Sequence, residues 1–228
     1  MPETNRHPLI TGARITSLGT LSSRVLGMVR DMSMAALLGL AGSGVMDAFV
    51  IAYRIPNLFR RLFGEGALTA SYLPVLTAEL ERSPRNAWRL ASVVFTWLAV
   101  VLVGLVLAGE GLFAVGWWAL SDVPSMRLLL GLSALLLPFV LLVCLAAQLT
   151  ATLHALSHFA TPAFMPVVLN VCWLAAIWLV ARPFFGDNDT AQAYVVGVAI
   201  LTAGLVQVVW QAAVLRRRGF RYEYDWEA

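Results

Sequence analysis

Four long apolar stretches constrain this chain more than any other feature of its sequence. They occupy residues 88–108, 126–150, 162–181 and 191–215. Each contains about the 20 apolar residues that a helix needs to cross a hydrocarbon core of about 30 Å. Hydrophobic residues make up 60% of the 228 in the chain, whereas soluble domains contain roughly 45–50%. A bilayer must therefore cover this surface, and we predict an all-α, polytopic membrane protein.

Two earlier segments, residues 9–40 and 45–80, are also long enough to span a membrane, but both contain several charged side chains. A plain hydropathy scan would reject them. Their charges lie in restricted zones with apolar flanks, a pattern typical of helices whose charges face a protein-lined cavity instead of lipid. With these two segments included, we predict six transmembrane helices.

The arginines outside the apolar stretches indicate how the chain is oriented. If both ends are cytoplasmic, nine arginines lie inside, whereas two, Arg127 and Arg182, lie outside. This bias agrees with the positive-inside rule and requires an even number of spans. The nine are Arg6, Arg14, Arg82, Arg85, Arg89, Arg216, Arg217, Arg218 and Arg221.

We accordingly divide the chain into three parts. Residues 1–8 form a polar cytoplasmic N-terminus, and no cleavable signal peptide is expected there because the stretch that follows lacks a small-residue cleavage site. Residues 9–215 form the six-helix membrane lobe. Residues 216–228, in which three arginines give way to acidic and aromatic residues, form a cytoplasmic linker or tail.

The first two predicted helices carry a group of buried charges. A charged side chain at mid-membrane costs about 2.5–3.5 kcal/mol on insertion scales. Pairing neutralises at most three of the five arginines in this group, so two are left in need of an anion, and an incoming ligand would supply it. Arginine suits phosphate because its planar fork donates two parallel hydrogen bonds and stays charged. The group comprises Arg24, Arg30, Asp31, Asp47, Arg54, Arg60, Arg61 and Glu65.

Spacing indicates that these charges do not form one straight stripe. A separation of seven residues returns a helix to within about 20° of the same face, and this separation relates Arg24 to Asp31 and Arg54 to Arg61. Arg30 and Arg60 are each displaced by roughly a third of a turn. For Arg24 and Arg30 we favour a cavity role, because snorkelling from the middle of a long span is difficult.

A structural role remains open for the other members of the group. Arg60, Arg61 and Glu65 would equally fit a position near an interface, where they would snorkel or pair among themselves. Asp47, near the start of the second helix, would fit a helix cap.

Several other kinds of site are not indicated. His154 and His158 have a spacing that can bind a metal, but no third ligand is nearby, so interfacial histidines and no metal or cofactor are expected. Cys144 and Cys172 lie within apolar stretches and are expected to be free thiols. No nucleophile, metalloprotease or phosphate-loop motif is present, so an enzyme is not expected. The dispersed arginines also argue against a nucleic-acid partner.

Three runs of residues resemble the signatures of the MurJ (MviN) lipid II flippase family. Residues 23–27 (SRVLG) with Arg30 and Asp31 resemble the first-helix signature. Residues 47–49 (DAF) and 56–67 (PNLFRRLFGEGA) are similar to the second-helix signature, which is quite specific. Residues 162–164 (PAF), with Pro166 and Asn170, resemble the start of the fifth helix. The resemblance extends from about residue 10 to residue 218.

The resemblance implies a member of the multidrug/oligosaccharidyl-lipid/polysaccharide exporter superfamily, in which two six-helix lobes form a V around a cationic cavity. It implies an inner-membrane protein that moves undecaprenyl-pyrophosphate bearing the peptidoglycan disaccharide-pentapeptide from the inner to the outer leaflet. It also implies roles for single residues. Arg24, Arg30 and Arg60 would be cavity cations and Asp31 a partner of Arg30; Arg54 occupies a basic motif position; Asp47, Arg61 and Glu65 would be gating or supporting groups.

The chain departs from the family pattern because it ends where the second six-helix lobe should begin. We therefore expect membrane lipid and a second lobe as partners, the latter in trans or in a further part of the protein. Otherwise the chain no longer transports. The alternatives are a flippase for another polyprenyl-linked oligosaccharide and a non-transporting membrane scaffold derived from the family. A cationic drug exporter is disfavoured by the excess of arginines.

Overall fold

The computed structural model describes residues 6–39, 44–64, 67–120 and 122–223. Within these ranges the regular structure is helical and no strand occurs. The described helices are α1 (Arg6–Met34, continued by a π-helical turn, Ala35–Gly39), α2 (Val45–Gly64), α3 (Ala67–Arg82), α4 (Pro84–Ala119), α5 (Pro124–Leu136), α6 (Pro138–Ala155), α7 (Ala160–Ala175, continued by a π-helical segment, Ala176–Ala181), α8 (Arg182–Phe185) and α9 (Asp189–Arg217).

The four apolar stretches form helices of membrane-spanning length, which confirms an all-α, polytopic membrane fold. The described spans are Pro84–Ala119, Pro124–Ala155, Ala160–Phe185 and Asp189–Arg217. All four are longer than their apolar stretches, because hydropathy detects the lipid-facing middle of a helix, whereas the helix continues through its polar ends.

The second of these spans is interrupted between two helices, which the sequence analysis does not predict. A turn at Leu137 divides α5 from α6, although Leu137 keeps helical dihedral angles of φ −60° and ψ −41°. Pro138 accounts for the interruption, since proline has no N–H to donate into the helical ladder.

The two polar segments are helical as well. Residues 9–40 correspond to α1 with its π-helical turn, and residues 45–80 to α2 and α3. Residues 65–66, between α2 and α3, lie outside the described residues. The count of six transmembrane helices, the boundaries 1–8, 9–215 and 216–228, and the orientation in the membrane therefore stay predictions.

The core is built around α6, which packs against α2, α3, α4 and α9. Its buried side chains include Phe139 and Val140, which join Leu132 and Leu136 of α5 in one apolar cluster. α1 packs mainly along α7, and its last residue, Met34, joins the same apolar cluster. The approach is close at Gly19, where an added Cβ would lie 2.7 Å from the carbonyl oxygen of Ala163. Small residues of this kind let helices approach closely in membranes.

Candidate functional site

Arg30 is the centre of the polar contacts between α1 and α7. Its Nη2 lies 2.7 Å and its Nε 3.0 Å from Oδ1 of Asp31, so the two form an ion pair. The two partners differ in exposure: 20% of the Arg30 side chain is accessible, against 70% for Asp31. The side chain of Arg30 is thus mostly buried between the helices, whereas the carboxylate of Asp31 is largely exposed.

Two residues of α7, Asn170 and Trp173, contact the guanidinium of Arg30. Arg30 Nη1 donates to Oδ1 of Asn170 at 3.0 Å. Asn170 is buried, and its Nδ2 donates to the backbone carbonyl of Ser23 at 3.0 Å. The guanidinium carbon lies 4.6 Å from the centroid of the Trp173 ring, within range of a cation–π contact.

Tyr53 connects this arrangement to α2. Its ring meets Trp173 edge-on at a centroid distance of 5.2 Å and stacks near Phe139 of α6 at 6.3 Å. The charges of Arg30, Asp31 and Arg60 all act on the Tyr53 hydroxyl. These contacts define what we call the arginine cluster, which consists of Arg30, Asp31, Tyr53, Arg60, Asn170 and Trp173.

Arg60 belongs to the cluster through α2. It lies seven residues after Tyr53, and so on nearly the same helix face. Arg60 is half-buried, and its Nε donates to Oδ1 of Asn57 at 3.2 Å. Arg30 thus contacts Trp173 directly, whereas Arg60 lies on the face of α2 that carries Tyr53.

Arg24, the third predicted cavity cation, is exposed and forms no hydrogen bond or ion pair with another described residue. Its seven-residue separation from Asp31 puts the two on one flank of α1. Several exposed apolar side chains of α1, which include Leu18, Val25 and Val29, lie 100° or more around the helix from Arg24. Leu21 and Met28, three residues before and four after Arg24, are exposed beside it, so Arg24 lies at the edge of the apolar stripe.

Three other predicted residues, Asp47, Arg54 and Arg61, are exposed on a different face of α2 from Tyr53 and Arg60. They recur at intervals of seven and so share a face, which lies across the helix from buried Phe49 and Ala52. Asp47 occurs in the first turn of α2, where a carboxylate interacts favourably with the helix dipole. Within the described part of the chain these three side chains form no ion pair. We call them the outward face of α2.

The predicted role of Glu65 cannot be placed, since that residue lies outside the described residues. Two cavities lie at opposite ends of α9, away from the arginine cluster. One, of about 550 Å³, includes Gln148 and Arg216 in its lining. The other, of about 850 Å³, includes Arg127 and Asp189.

The remaining sequence predictions concern metals and thiols. Among the described residues no group of three or more candidate ligands forms a metal site. His154 packs near the ring of Phe159, and His158 Nε2 lies 2.7 Å from Thr161 Oγ1. Cys144 and Cys172 are free, as predicted.

Sequence reasoning gave no role to Asn170, Trp173 or Tyr53. In the sequence Asn170 stands out only as part of a motif, and no pattern distinguishes Tyr53 or Trp173. The sequence contains one signal for Asn170, because a carboxamide in an otherwise apolar stretch commonly forms a hydrogen bond to a neighbouring helix in a membrane.

Comparison with known proteins agrees with the resemblance in the sequence. The family model described as Lipid II flippase MurJ matches residues 34–228. A relative from Bdellovibrio bacteriovorus, named probable lipid II flippase MurJ, is 35% identical over 227 residues, covering 95% of this chain and 41% of the relative. The lipid II flippase MurJ of Burkholderia cenocepacia is 31% identical over 204 residues, covering 87% of this chain and 38% of the relative. The chain thus spans about two fifths of the length of these relatives.

A solved structure titled lipid II flippase MurJ, inward closed conformation, has the same fold. It superposes with a TM-score of 0.66 at 22% identity, covering 92% of this chain and 43% of the other. The family model covers well over half of the chain. The chain therefore belongs to the MurJ family of lipid II flippases.

Proposed function

We propose that this chain acts as one lobe of a lipid II flippase, in which the arginine cluster binds the pyrophosphate of the lipid-linked peptidoglycan precursor during transfer from the inner to the outer leaflet. Membership of the family supports the cargo. The observation that carries the mechanism is the guanidinium of Arg30, which is held by Asp31, Asn170 and Trp173 where α1 packs on α7.

The chemistry of the cluster suits a polyanion. A guanidinium donates up to five hydrogen bonds, and Arg30 uses part of this capacity on Asp31 and Asn170. Its remaining N–H groups are available to phosphate oxygens, and Arg60 and Arg24 add further positive charge. The low dielectric of a membrane interior strengthens such attraction compared with water. Binding of this kind needs no covalent step, which fits a transporter.

The outward face of α2 supports a second part of the proposal. Exposed charges on a membrane helix are expensive against lipid and generally face protein or a water-filled cavity. We propose that Asp47, Arg54 and Arg61 face a second lobe across a hydrated cavity, in the inner membrane. Rocking of the two lobes would then alternate access, while the polyprenyl tail stays in lipid.

Complementation of a depletion strain tests the proposal. The gene that encodes this chain would be replaced by versions carrying Arg24→Ala, Arg30→Ala or Arg60→Ala. We expect loss of growth and accumulation of the lipid-linked precursor at normal protein levels. Arg127→Ala is the matched control, because that arginine stacks on Trp117 away from the cluster.

Full rescue by all three variants at normal protein levels would contradict the proposal. Mass spectrometry of lipids that co-purify with the protein would identify the cargo. Recovery of a different polyprenyl-linked oligosaccharide would keep the arginine mechanism and replace the substrate.

A further inference from the structure

We infer that Asn170 and Trp173 are positioning residues, which fix the guanidinium of Arg30 so that its unused N–H groups are presented to a phosphate. The inference deepens the proposed function and rests on it for the identity of the ligand. Neither residue belongs to the charged group of α1 and α2, since both lie on α7.

The side chain of Asn170 links α7 to α1 through two hydrogen bonds. Its carboxamide accepts from Arg30 Nη1 and donates to the Ser23 carbonyl, both at 3.0 Å. An amide whose two ends are both engaged has a fixed orientation. Because Asn170 is only 4% exposed, water does not compete strongly for these bonds. The position of Arg30 Nη1 is therefore set by α7 as well as by α1.

Trp173 fixes the plane of the same guanidinium. The ring lies 4.6 Å from the Arg30 carbon and is itself held edge-on by Tyr53 and by Phe49, at centroid distances of 5.2 and 5.8 Å. The guanidinium of Arg30 has little rotational freedom left, because it is hydrogen-bonded to an amide, paired with a carboxylate and packed against an aromatic ring. Such preorganisation reduces the entropy lost when a ligand binds.

Trp173 acts on Arg30 through its ring and not through its N–H group. The residue is 3% exposed, and its Nε1–H has no hydrogen-bond partner among the described residues. The ring is therefore held by its aromatic neighbours and by the guanidinium itself.

The test combines two measurements on the full chain in lipid nanodiscs. The first is the rate at which phenylglyoxal modifies Arg30, followed by peptide mass spectrometry without ligand. The second is the affinity for undecaprenyl pyrophosphate. Asn170→Leu should speed modification of Arg30 severalfold and weaken binding about tenfold, the typical value of a hydrogen bond to a charged group. Val171→Ala, a neighbouring exposed residue of α7, is the control for both measurements.

A double-mutant cycle separates positioning from a general structural role. If Asn170 acts through Arg30, Asn170→Leu should have no further effect on affinity in an Arg30→Gln background. An equal loss of affinity in both backgrounds would overturn the inference. Asn170→Asp provides a second variant of the same size. Its carboxylate still accepts from Arg30 but cannot donate to the Ser23 carbonyl, so modification of Arg30 should be slower than in Asn170→Leu; a rate equal to that of Asn170→Leu would overturn the inference.

The two proposals fail in different ways. If the native chain does not bind undecaprenyl pyrophosphate, the proposed function is contradicted, and the modification rates alone decide whether α7 positions Arg30. If the native chain binds the lipid but Asn170→Leu changes neither rate nor affinity, the positioning role is wrong and the proposed function stands.

Discussion

One face of α2 carries Tyr53 and Arg60 of the arginine cluster; a second face, about 100° around the helix, carries the exposed side chains of Asp47, Arg54 and Arg61. Both faces carry arginine, yet Arg60 donates to the amide of Asn57, whereas Arg54 and Arg61 form no ion pair within the described residues. Hydropathy treats all of these charges alike. We therefore expect the function of each charge to depend on which neighbouring helix its face meets.

The largest expected effect is on the free energy of unfolding, because one face of α2 is packed in the core and the other is exposed. Phe49 is 2% exposed and contacts Tyr53 and Trp173, whereas its neighbour Val50 is 38% exposed. Phe49→Ala should lower the free energy of unfolding by about 3 kcal/mol, the low end for buried phenylalanine because lipid is as apolar as the core. Val50→Ala should change it by less than about 0.5 kcal/mol. Unfolding in mixed micelles measures both, and equal effects would remove the distinction between the sides.

The adjacent pair Arg60 and Arg61 gives the next largest difference. Successive helical residues point about 100° apart, so Arg60 lies in the cluster and Arg61 on the outward face. Arg60→Ala should weaken binding of undecaprenyl pyrophosphate by this chain at least tenfold, the loss expected for about 1.5 kcal/mol of charged hydrogen bonding. Arg61→Ala should leave that affinity within about twofold, since exposed charge contributes little. Equal losses would contradict the assignment of the two faces.

A smaller effect of opposite sign is expected from the two carboxylates. Asp31 neutralises Arg30 at 2.7 Å, whereas Asp47 has no ion-pair partner in the described part of the chain. Asp31→Asn should raise the affinity for undecaprenyl pyrophosphate by a few fold, because a phosphate no longer competes with the carboxylate; an exposed ion pair contributes about 1 kcal/mol at most. Asp47→Asn should have no effect on binding. A decrease with Asp31→Asn would mean that Asp31 orients Arg30 more than it neutralises it.

The smallest effect concerns a group on neither side of α2. Burial and, secondarily, the positive charge of Arg218 lower the pKa of His158, in the turn between α6 and α7, below its usual 6.5. The unfolded chain therefore binds the proton more readily, so the contribution of neutral His158 to stability is present above about pH 6.5 and is lost as the pH falls through the lower, folded pKa. Acidification from pH 7 to 5 should lower the unfolding midpoint slightly, and less so in His158→Gln. An unchanged pH dependence in that variant would contradict the assignment.

The sequence predicts the apolar part of this molecule well and the polar part less well. Residues 88–108 and 191–215 correspond to α4 and α9, because twenty apolar residues in a row have few alternatives to a spanning helix. The interruption before Pro138 is not predicted, because hydropathy does not detect the loss of a backbone hydrogen-bond donor. Within the charged group, the sequence predicts which residues share a face through their spacing of seven.

What the sequence does not predict is which face meets which helix. Arg60 and Arg61 are neighbours in a motif, and only the packing of α2 on α5 and α6 separates their environments. Asn170 and Trp173 are distant from Arg30 along the chain, so no local pattern relates them. Contacts of this kind depend on tertiary packing and require the structure.

We expect Arg24 of α1 and the outward face of α2 to line a hydrated, positively charged cavity. Cysteine labelling in a Cys144→Ala, Cys172→Ala background tests this expectation most directly. Arg24→Cys and Arg61→Cys should react with a membrane-impermeant, negatively charged thiosulfonate, and faster than with its positively charged counterpart, while Val29→Cys on the exposed apolar stripe of α1 should stay unreactive. Labelling of Val29→Cys as fast as Arg24→Cys, or no labelling at positions 24 and 61, would contradict the account.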